Sequence, residues 1–477
     1  MKYSFIATTL ILLGCIGCSK NDKGMVEPRS EADLAGLTVA TTKGSYYHNK
    51  LSKRTDIQMY VTNSDADCLQ AVRQGSADVF VGDEVMLTKE DQKRLGMKKA
   101  FIGEEAFDAA FALKKGNDTL RNSLNKFLAV TPVQEIIDHW INDGPAVEEP
   151  EYTIDPDAQP LRCVSAVNVA PICFVGEGGK WRGMDPDILS RFAHSLGRPI
   201  EMKFMDLGSA IIELDTGKAD IFSACLFATE ERKKAVDFSS PYYNCHPGYF
   251  IVDKDNKSRT GIGERLKNTL ITDKRWKLIT DGLLETVKIT LLAILLGTIL
   301  GAGVCACRRS RRGWLRSAAG IYSGLLAGIP NLVMLLIMFY VVFAGAGISA
   351  SAVAIFTFAL YFASSSGSIF DTSISSVPAG QTEAGLSLGF TPLRTFLGIV
   401  FPQAIKKGLP LYASECVSLL KSTSIVGYIA IHDLTRASDL IRSRTFDALL
   451  PLLIVTLLYF ALAWLIRFVL NLFLKKI

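Results

Sequence analysis

Gly380-Gln381-Thr382-Glu383-Ala384-Gly385-Leu386-Ser387-Leu388-Gly389, continued by Ile399-Val400-Phe401-Pro402, is a polar and partly charged segment set between long apolar runs. Gly389 and Pro392 permit a sharp turn between two short helices, since glycine tolerates left-handed backbone and proline interrupts a helix from within. Outward from this segment, apolar runs long enough to cross a bilayer as helices lie at roughly 283–305, 317–345, 348–370, 408–431 and 447–472. Five spans are expected. If the residues before 283 are exported, the first span ends inside. Arg308, Arg309, Arg311, Arg312 and Arg316 then fall in the cytoplasm, as positive-inside bias requires. Two more crossings return the Glu383 segment to the same side, and Lys475-Lys476 end there too.

The chain has 477 residues, 49% of them apolar, and a formal net charge of +5. That length suits two or three domains. Residues 30–280 read as globular, with charges throughout, whereas 283–474 hold nearly all the long apolar runs. The small, dispersed charge and the lack of a basic patch interleaved with aromatics exclude nucleic acid as a partner. Met1-Lys2-Tyr3 and an apolar core to Gly17, too short for a comfortable span, read as an export signal. Leu12-Leu13-Gly14-Cys15 and Cys15-Ile16-Gly17-Cys18 each place small residues before a cysteine, so Cys15 or Cys18 is the candidate lipidation site. An uncleaved anchor would leave the next domain on the same outer side. Cys68, Cys163, Cys173, Cys225 and Cys245 are odd in number and irregular in spacing, which argues for buried thiols over a disulfide framework. The histidines stand singly, so no metal site is expected. No G-x-x-x-x-G-K-[ST] sequence occurs, so this chain carries no ATP site of that kind.

The segment 380–404 resembles the cytoplasmic coupling loop of ABC import permeases. That pattern runs Glu-Ala-Ala, three residues, Gly, nine residues, Ile, one residue, Leu-Pro. Glu383, Ala384, Gly389, Ile399 and Pro402 fall in register behind Gly380, while Gly385 and Phe401 depart from it. Arg275-Trp276-Lys277 with Gly282-Leu283-Leu284-Glu285-Thr286, and Leu420-Lys421-Ser422-Thr423-Ser424-Ile425, narrow the resemblance to the polar amino acid branch. Ala327-Gly328-Ile329-Pro330 stands where that branch has Arg-Gly-Thr-Pro, and Ser368 and Asp371 where it has Glu and Arg. The resemblance implies that the chain is not itself an enzyme and binds no cofactor. It would work as a homodimer with two separate ABC ATPases that hold ATP and Mg. Glu415 and Lys421, in or at the edge of the fourth span, are candidates for a membrane pathway or for a structural pair.

Residues 161–254 alternate short strands and helices. Gly183-Met184-Asp185-Pro186-Asp187-Ile188-Leu189, Gly217-Lys218-Ala219-Asp220-Ile221, Ala228-Thr229-Glu230-Glu231-Arg232 and Val236-Asp237-Phe238-Ser239-Ser240-Pro241 resemble the first lobe of type II periplasmic amino acid binding proteins. Landmarks of the second lobe appear upstream, at Asp33 to Val39, Lys43-Gly44-Ser45, Ala71 to Glu84 and Ala112 to Asn117. This order implies a circular permutation; two degenerate binding proteins in tandem would need about twice the length. The expected divisions are a lipoprotein-type signal at 1–18, a tether at 19–33, the second lobe with C-terminal helices at 34–148, a joint at 149–160, the first lobe at 161–254, a linker and entry helix at 255–282, and a permease at 283–477. The fold class expected is an α/β bilobed binding domain, circularly permuted, followed by an all-α membrane domain of five helices.

Carried over by position, Arg232 grips a ligand carboxylate bidentately, Gly44 and Ser45 add donors, and Asp83 accepts the ammonium. Ala224, Cys225 and Phe227 stand where the family has Ser, Thr or Gly donors, so side-chain specificity is not carried over. The resemblance thus implies a fused receptor and permease for amino acids or similar amphoteric solutes in a bacterial inner membrane, its binding domain on the periplasmic side. The alternative is a ligand-gated channel or a solute sensor built on the same bilobed domain. A channel has no use for an ATPase-docking loop, and a sensor needs a cytoplasmic output domain.

Overall fold

The computed structural model describes residues 27–143, 157–176, 179–205, 207–230, 232–255, 261–344 and 346–476. Cys15, Cys18 and most of the expected joint lie outside them. Internal contacts divide the chain into two units, Met1–Phe107 with Cys245–Arg259, and Asp108–Asn244 with Thr260–Ile477.

The first unit is built on β1 (Thr38–Thr42), α1 (Tyr46–Leu51), β2 (Gln58–Thr62), α2 (Asp65–Gln74), β3 (Val79–Asp83), α3 (Lys89–Leu95) and β4 (Met97–Ile102), with β13 (Pro247–Val252) returning from later in the chain. The strands lie in the order β2-β1-β3-β13-β4. β1 is parallel to β2 and β3, and β13 is antiparallel to β3 and β4. Every residue of β3 is buried, as a strand covered on both faces requires. Ser64 starts α2 by accepting from the Asp67 N–H, and Gly75 stops it at φ 77°. The start and the end of this unit's chain are neighbours: Glu27, Pro28 and Leu37 line one small recess with Ile251, Val252 and Lys254.

The second unit begins with β5 (Phe107–Lys114), α4 (Asp118–Val130) and α5 (Val133–Asp143). It continues through β6 (Leu161–Ser165), β7 (Phe174–Val175), β8 (Trp181–Arg182), α6 (Met184–Ser195), β9 (Ile200–Phe204), α7 (Leu207–Asp215), β10 (Ile221–Phe227), β11 (Val236–Phe238) and β12 (Tyr243–Cys245). Its main sheet runs β11-β5-β10-β6-β9. β6 is parallel to β9 and β10, and β5 is antiparallel to β10 and β11. Each sheet therefore reads second, first, third, antiparallel intruder, fourth, and each intruder follows a run of chain that built the other sheet. The division falls at Phe107, inside the segment expected at 34–148, so α4 and α5 belong with the second unit. Trp140 of α5, fully buried, donates to the Asp187 carboxylate of α6 at 3.1 Å.

The membrane part contains α8 (Ile262–Leu266), α9 (Trp276–Arg308), α10 (Gly313–Gly328), α11 (Asn331–Ile337), α12 (Ala350–Ser375), α13 (Ala379–Ser387), α14 (Pro392–Thr395), α15 (Phe401–Ser422), α16 (Leu434–Thr445) and α17 (Leu449–Lys476). By length and composition α9, α12 and α17 can each cross a membrane, and the α10–α11 pair qualifies as one span bent by 105°. Pro330 sits at that bend. The run expected at 408–431 forms α15 instead, with Thr423–Ile429 coiling into 3-10 turns beyond it. At 22 residues α15 is about 33 Å long, but Lys406, Lys407, Glu415 and Lys421 make it less apolar than the others.

α9 and α12 approach closely through glycine. A Cβ on Gly297 would lie 2.8 Å from both the Ala359 carbonyl oxygen and the Phe362 Cβ, whereas Gly303 has nothing within 4 Å of that position. Alanine inside a helix is favoured over glycine by about 0.5–1 kcal/mol, and overpacking costs about 1–3 kcal/mol. Gly297→Ala is therefore expected to lower the thermal midpoint of the solubilised protein and Gly303→Ala to hold or raise it. A midpoint unchanged at Gly297 would mean that the two helices are not in contact there.

Candidate functional site

On the first unit the turn between β1 and α1 holds Gly44, at φ 75°, and Ser45. The Ser45 hydroxyl caps α1 by accepting from the His48 N–H at 3.1 Å and lies 3.2 Å from the Thr41 hydroxyl. Its own N–H donates to the Thr42 carbonyl at 3.1 Å, and the Gly44 N–H donates to His48 Nδ1 at 3.3 Å. The expected N–H donors are thus committed within the turn, and a ligand carboxylate would compete with those bonds. Asp83 ends β3, 8% exposed, and accepts from the Tyr47 hydroxyl at 2.6 Å. Burial pushes its carboxyl up to about 6.

On the second unit Arg232 is half-buried beside Phe227, whose carbonyl accepts from its guanidinium at 3.3 Å, and the Thr229 hydroxyl accepts from its backbone N–H. The approach to it is irregular. β10 shifts register against β5 between Phe222 and Leu226, and Cys225 has φ 48°, a conformation that costs a non-glycine residue about 1 kcal/mol. A carboxylate that sequence reading gave no role, Asp185, holds this bulge. Fully buried in the first turn of α6, it accepts from the Cys225 N–H at 3.3 Å and from the Tyr242 hydroxyl at 2.6 Å. The signal available in the sequence was an acid two residues after Gly183 at a helix start, where the helix dipole favours negative charge.

The segment around Glu383 forms the helix-turn-helix. α13 ends at Ser387, Gly389 turns at φ 82°, and Thr391 caps α14 with Pro392 at its first position. Gly385 is buried between the two arms, since a Cβ there would lie 2.6 Å from Thr395 Cγ2 and 3.0 Å from Ile399 Cδ1. Its departure from the family pattern fits this close packing. Gln403, at the start of α15, donates to Gln381 of α13 at 3.1 Å. Glu383 is exposed, and so are Leu386, Leu388, Phe390, Leu393 and Leu397 around it, a larger apolar group than a loop outside the long apolar helices needs.

A sequence model of the bacterial extracellular solute-binding proteins, family 3, matches residues 161–420, or 260 of the chain's 477 residues. Over 214 residues, 45% of this chain and 95% of the relative, it is 30% identical to the "Probable amino-acid ABC transporter permease protein YckA" of Bacillus subtilis (strain 168). The chain belongs to both families. This fused solute-binding protein and ABC permease is also 30% identical over 212 residues to the L-cystine transport system permease protein TcyB of the same organism, across 44% of this chain and 89% of the relative. A solved amino acid ABC transporter, described as crystallised with histidines, is 29% identical and aligns over its whole length with 46% of this chain at a TM-score of 0.41.

In this fused permease Glu415 and Lys421 do not form the structural pair that was one of two expectations, and no ion pair joins them among the described residues. Six positions along α15 set them about 120° apart around its axis. Lys421 instead lies on an exposed stripe with Lys407, Leu411, Ser414 and Ser418. Asp371, standing where the resemblance has Arg, finds a cation on another helix: Arg309 donates to it at 3.0 Å and to Ser375 at 2.9 Å. That bond ties the end of α9 to α12 just before the helix-turn-helix around Glu383.

Proposed function

We propose that this chain imports amino acids or similar small amphoteric solutes, as a homodimer driven by two separate ABC ATPases that bind the ATP and Mg. The exposed helix-turn-helix at Glu383 carries the proposal. Gly380, Glu383, Ala384, Gly389, Ile399 and Pro402 form a rigid knob ringed by apolar side chains, suited to a groove on an ATPase. Its bilayer crossings number five when α15 is counted with α9, the α10–α11 pair, α12 and α17. Support for five comes from parity, since only with α15 counted do Lys475-Lys476 end on the cytoplasmic side shared by Arg308 to Arg316 and Glu383, with the binding domain periplasmic. Cys15 or Cys18 would carry the lipid. A circular permutation is supported by the identical strand order of the two sheets and by the neighbouring positions of residues 27–37 and 251–254. Joining those ends and cutting between α5 and β6 would restore an order in which the first lobe precedes the second.

Arg232 would take the ligand carboxylate, Gly44 and Ser45 would add N–H donors, and Asp83 would take the ammonium. This has a pH signature. Only the ionised Asp83 attracts an ammonium, so affinity is full above about pH 6 and falls about tenfold per unit below it. Binding isotherms between pH 5 and 8 should show that slope in the wild type and a weak, flat response in Asp83→Asn. Equal slopes would remove Asp83 from the site. The import reading itself is tested by affinity purification from membranes with L-glutamine and L-cystine uptake assays. An ABC ATPase should copurify, and its deletion should abolish uptake. A purified chain that conducts ions without any ATPase would replace this reading with a channel.

A further inference from the structure

We infer that the lobe spanning residues 161–244 is a resident part of the permease, docked before solute arrives and still docked while solute passes. The inference rests on the import reading above. Asn168, in the loop after β6 and 2% exposed, makes the decisive contact. Its amide nitrogen donates to the Leu440 carbonyl and to the Ser443 hydroxyl of α16, each at 2.8 Å, while its oxygen accepts from the Val175 N–H of its own lobe at 2.9 Å. Three bonds satisfy this buried amide, and two of them exist only with α16 in place.

Two further parts of the lobe are seated independently. Arginines of α16 cover its aromatic faces, Arg436 at 4.1 Å from the Phe204 ring centre and Arg444 at 4.8 Å from that of Phe174. Lys218, between α7 and β10, donates to the Phe339 carbonyl at 2.6 Å, and its ammonium lies 3.2 Å from the Phe339 ring centre. That carbonyl belongs to the π turn Met338–Val342 that closes the bent span, where helix carbonyls lack intrahelical donors and the dipole attracts a cation. Ala430 packs into the apolar cluster of the lobe around Leu214 and Phe222. A non-obligate interface is on the whole no more apolar than the rest of the protein surface. Here a satisfied buried amide and stacked guanidiniums on α16, a lysine on the π turn and an apolar plug at Ala430 join the lobe to three parts of the permease. Capture then takes place at a docked receptor, and no free-standing form of it is needed.

The test is the full-length double variant Asn168→Cys/Ser443→Cys in native membranes, at two positions whose parent side chains meet at 2.8 Å. The bond is expected to form under mild oxidation with no amino acid added. Uptake of L-glutamine or L-cystine by the oxidised variant should equal uptake after reduction with dithiothreitol. Failure to form the bond, or uptake lost on oxidation and restored by reduction, would overturn the inference. If neither the wild type nor the reduced variant takes up either amino acid, the import reading fails by itself. Docking is then judged by the cross-linking rate in energised against ATP-depleted cells, equal rates upholding it and slower cross-linking in energised cells overturning it. Lys218→Cys/Phe339→Cys, joined irreversibly by a short bis-maleimide and compared with the same variant left untreated, takes its place should the first pair not reach the membrane.

Discussion

Arg232→Met is expected to weaken amino acid binding by two to three powers of ten, read by titration calorimetry on the full-length chain in nanodiscs. A guanidinium fork against a carboxylate makes two charge-assisted bonds, and removing one partner of such a desolvated pair costs about 3–4 kcal/mol. The Phe227 carbonyl already orients the fork, so little ordering remains to be done when ligand arrives. Arg232→Lys keeps the charge but loses the planar fork and should recover part of the affinity. A structural role would leave the opposite signature, a lowered thermal midpoint with ligand affinity intact. Binding unchanged in the methionine variant would make Arg232 an ordinary half-buried cation and send the search for the carboxylate site elsewhere. The full chain is the right sample because Phe174 and Phe204 are covered by arginines of α16, and an isolated fragment would bare both rings.

What could be read in the sequence was whatever depends on short spacing. Glu383, Ala384, Gly389, Ile399 and Pro402 announce a turn between two helices because turn chemistry is local, and the strand and helix landmarks of both lobes are legible for the same reason. The destination of a strand is not local. Phe107–Lys114 is an apolar run like any buried strand, and nothing in it says that it leaves the sheet built just before it and enters another. Helix ends in the membrane were blurred likewise, because the residues of Thr423–Ile429 are as apolar as a span but coil into 3-10 turns. Glu415 and Lys421 looked like a pair when counted along the chain and are not one around a helix. Ser45 read as a donor, and the Thr42 carbonyl that takes its N–H becomes visible only with the turn in place. Asn168 and Leu440, 272 positions apart, carry no sign of each other at all.

Gly385→Ala is expected to reduce solute uptake about 5- to 150-fold while leaving ligand binding by the receptor intact. The added Cβ meets Thr395 Cγ2 at 2.6 Å, and that methyl belongs to a β-branched side chain with little rotamer freedom, so the arms of the helix-turn-helix must spread. Overpacking of this kind costs about 1–3 kcal/mol, which lowers the population of the paired arms by roughly the same factor as the loss of uptake. The apolar residues around Glu383 are exposed, so few other contacts restore the arrangement once the arms part. Thr395→Ser removes the obstructing methyl and keeps the hydroxyl. The double variant Gly385→Ala/Thr395→Ser should therefore recover uptake beyond what either change alone allows, a coupling that a double-mutant cycle measures directly. Glu383→Ala supplies the contrast, since it alters the face offered to an ATPase without disturbing the packing beneath it and no change at Thr395 should rescue it. Full uptake in Gly385→Ala would mean that the knob tolerates an open form, and the departure from Glu-Ala-Ala at this position would then lose its packing explanation.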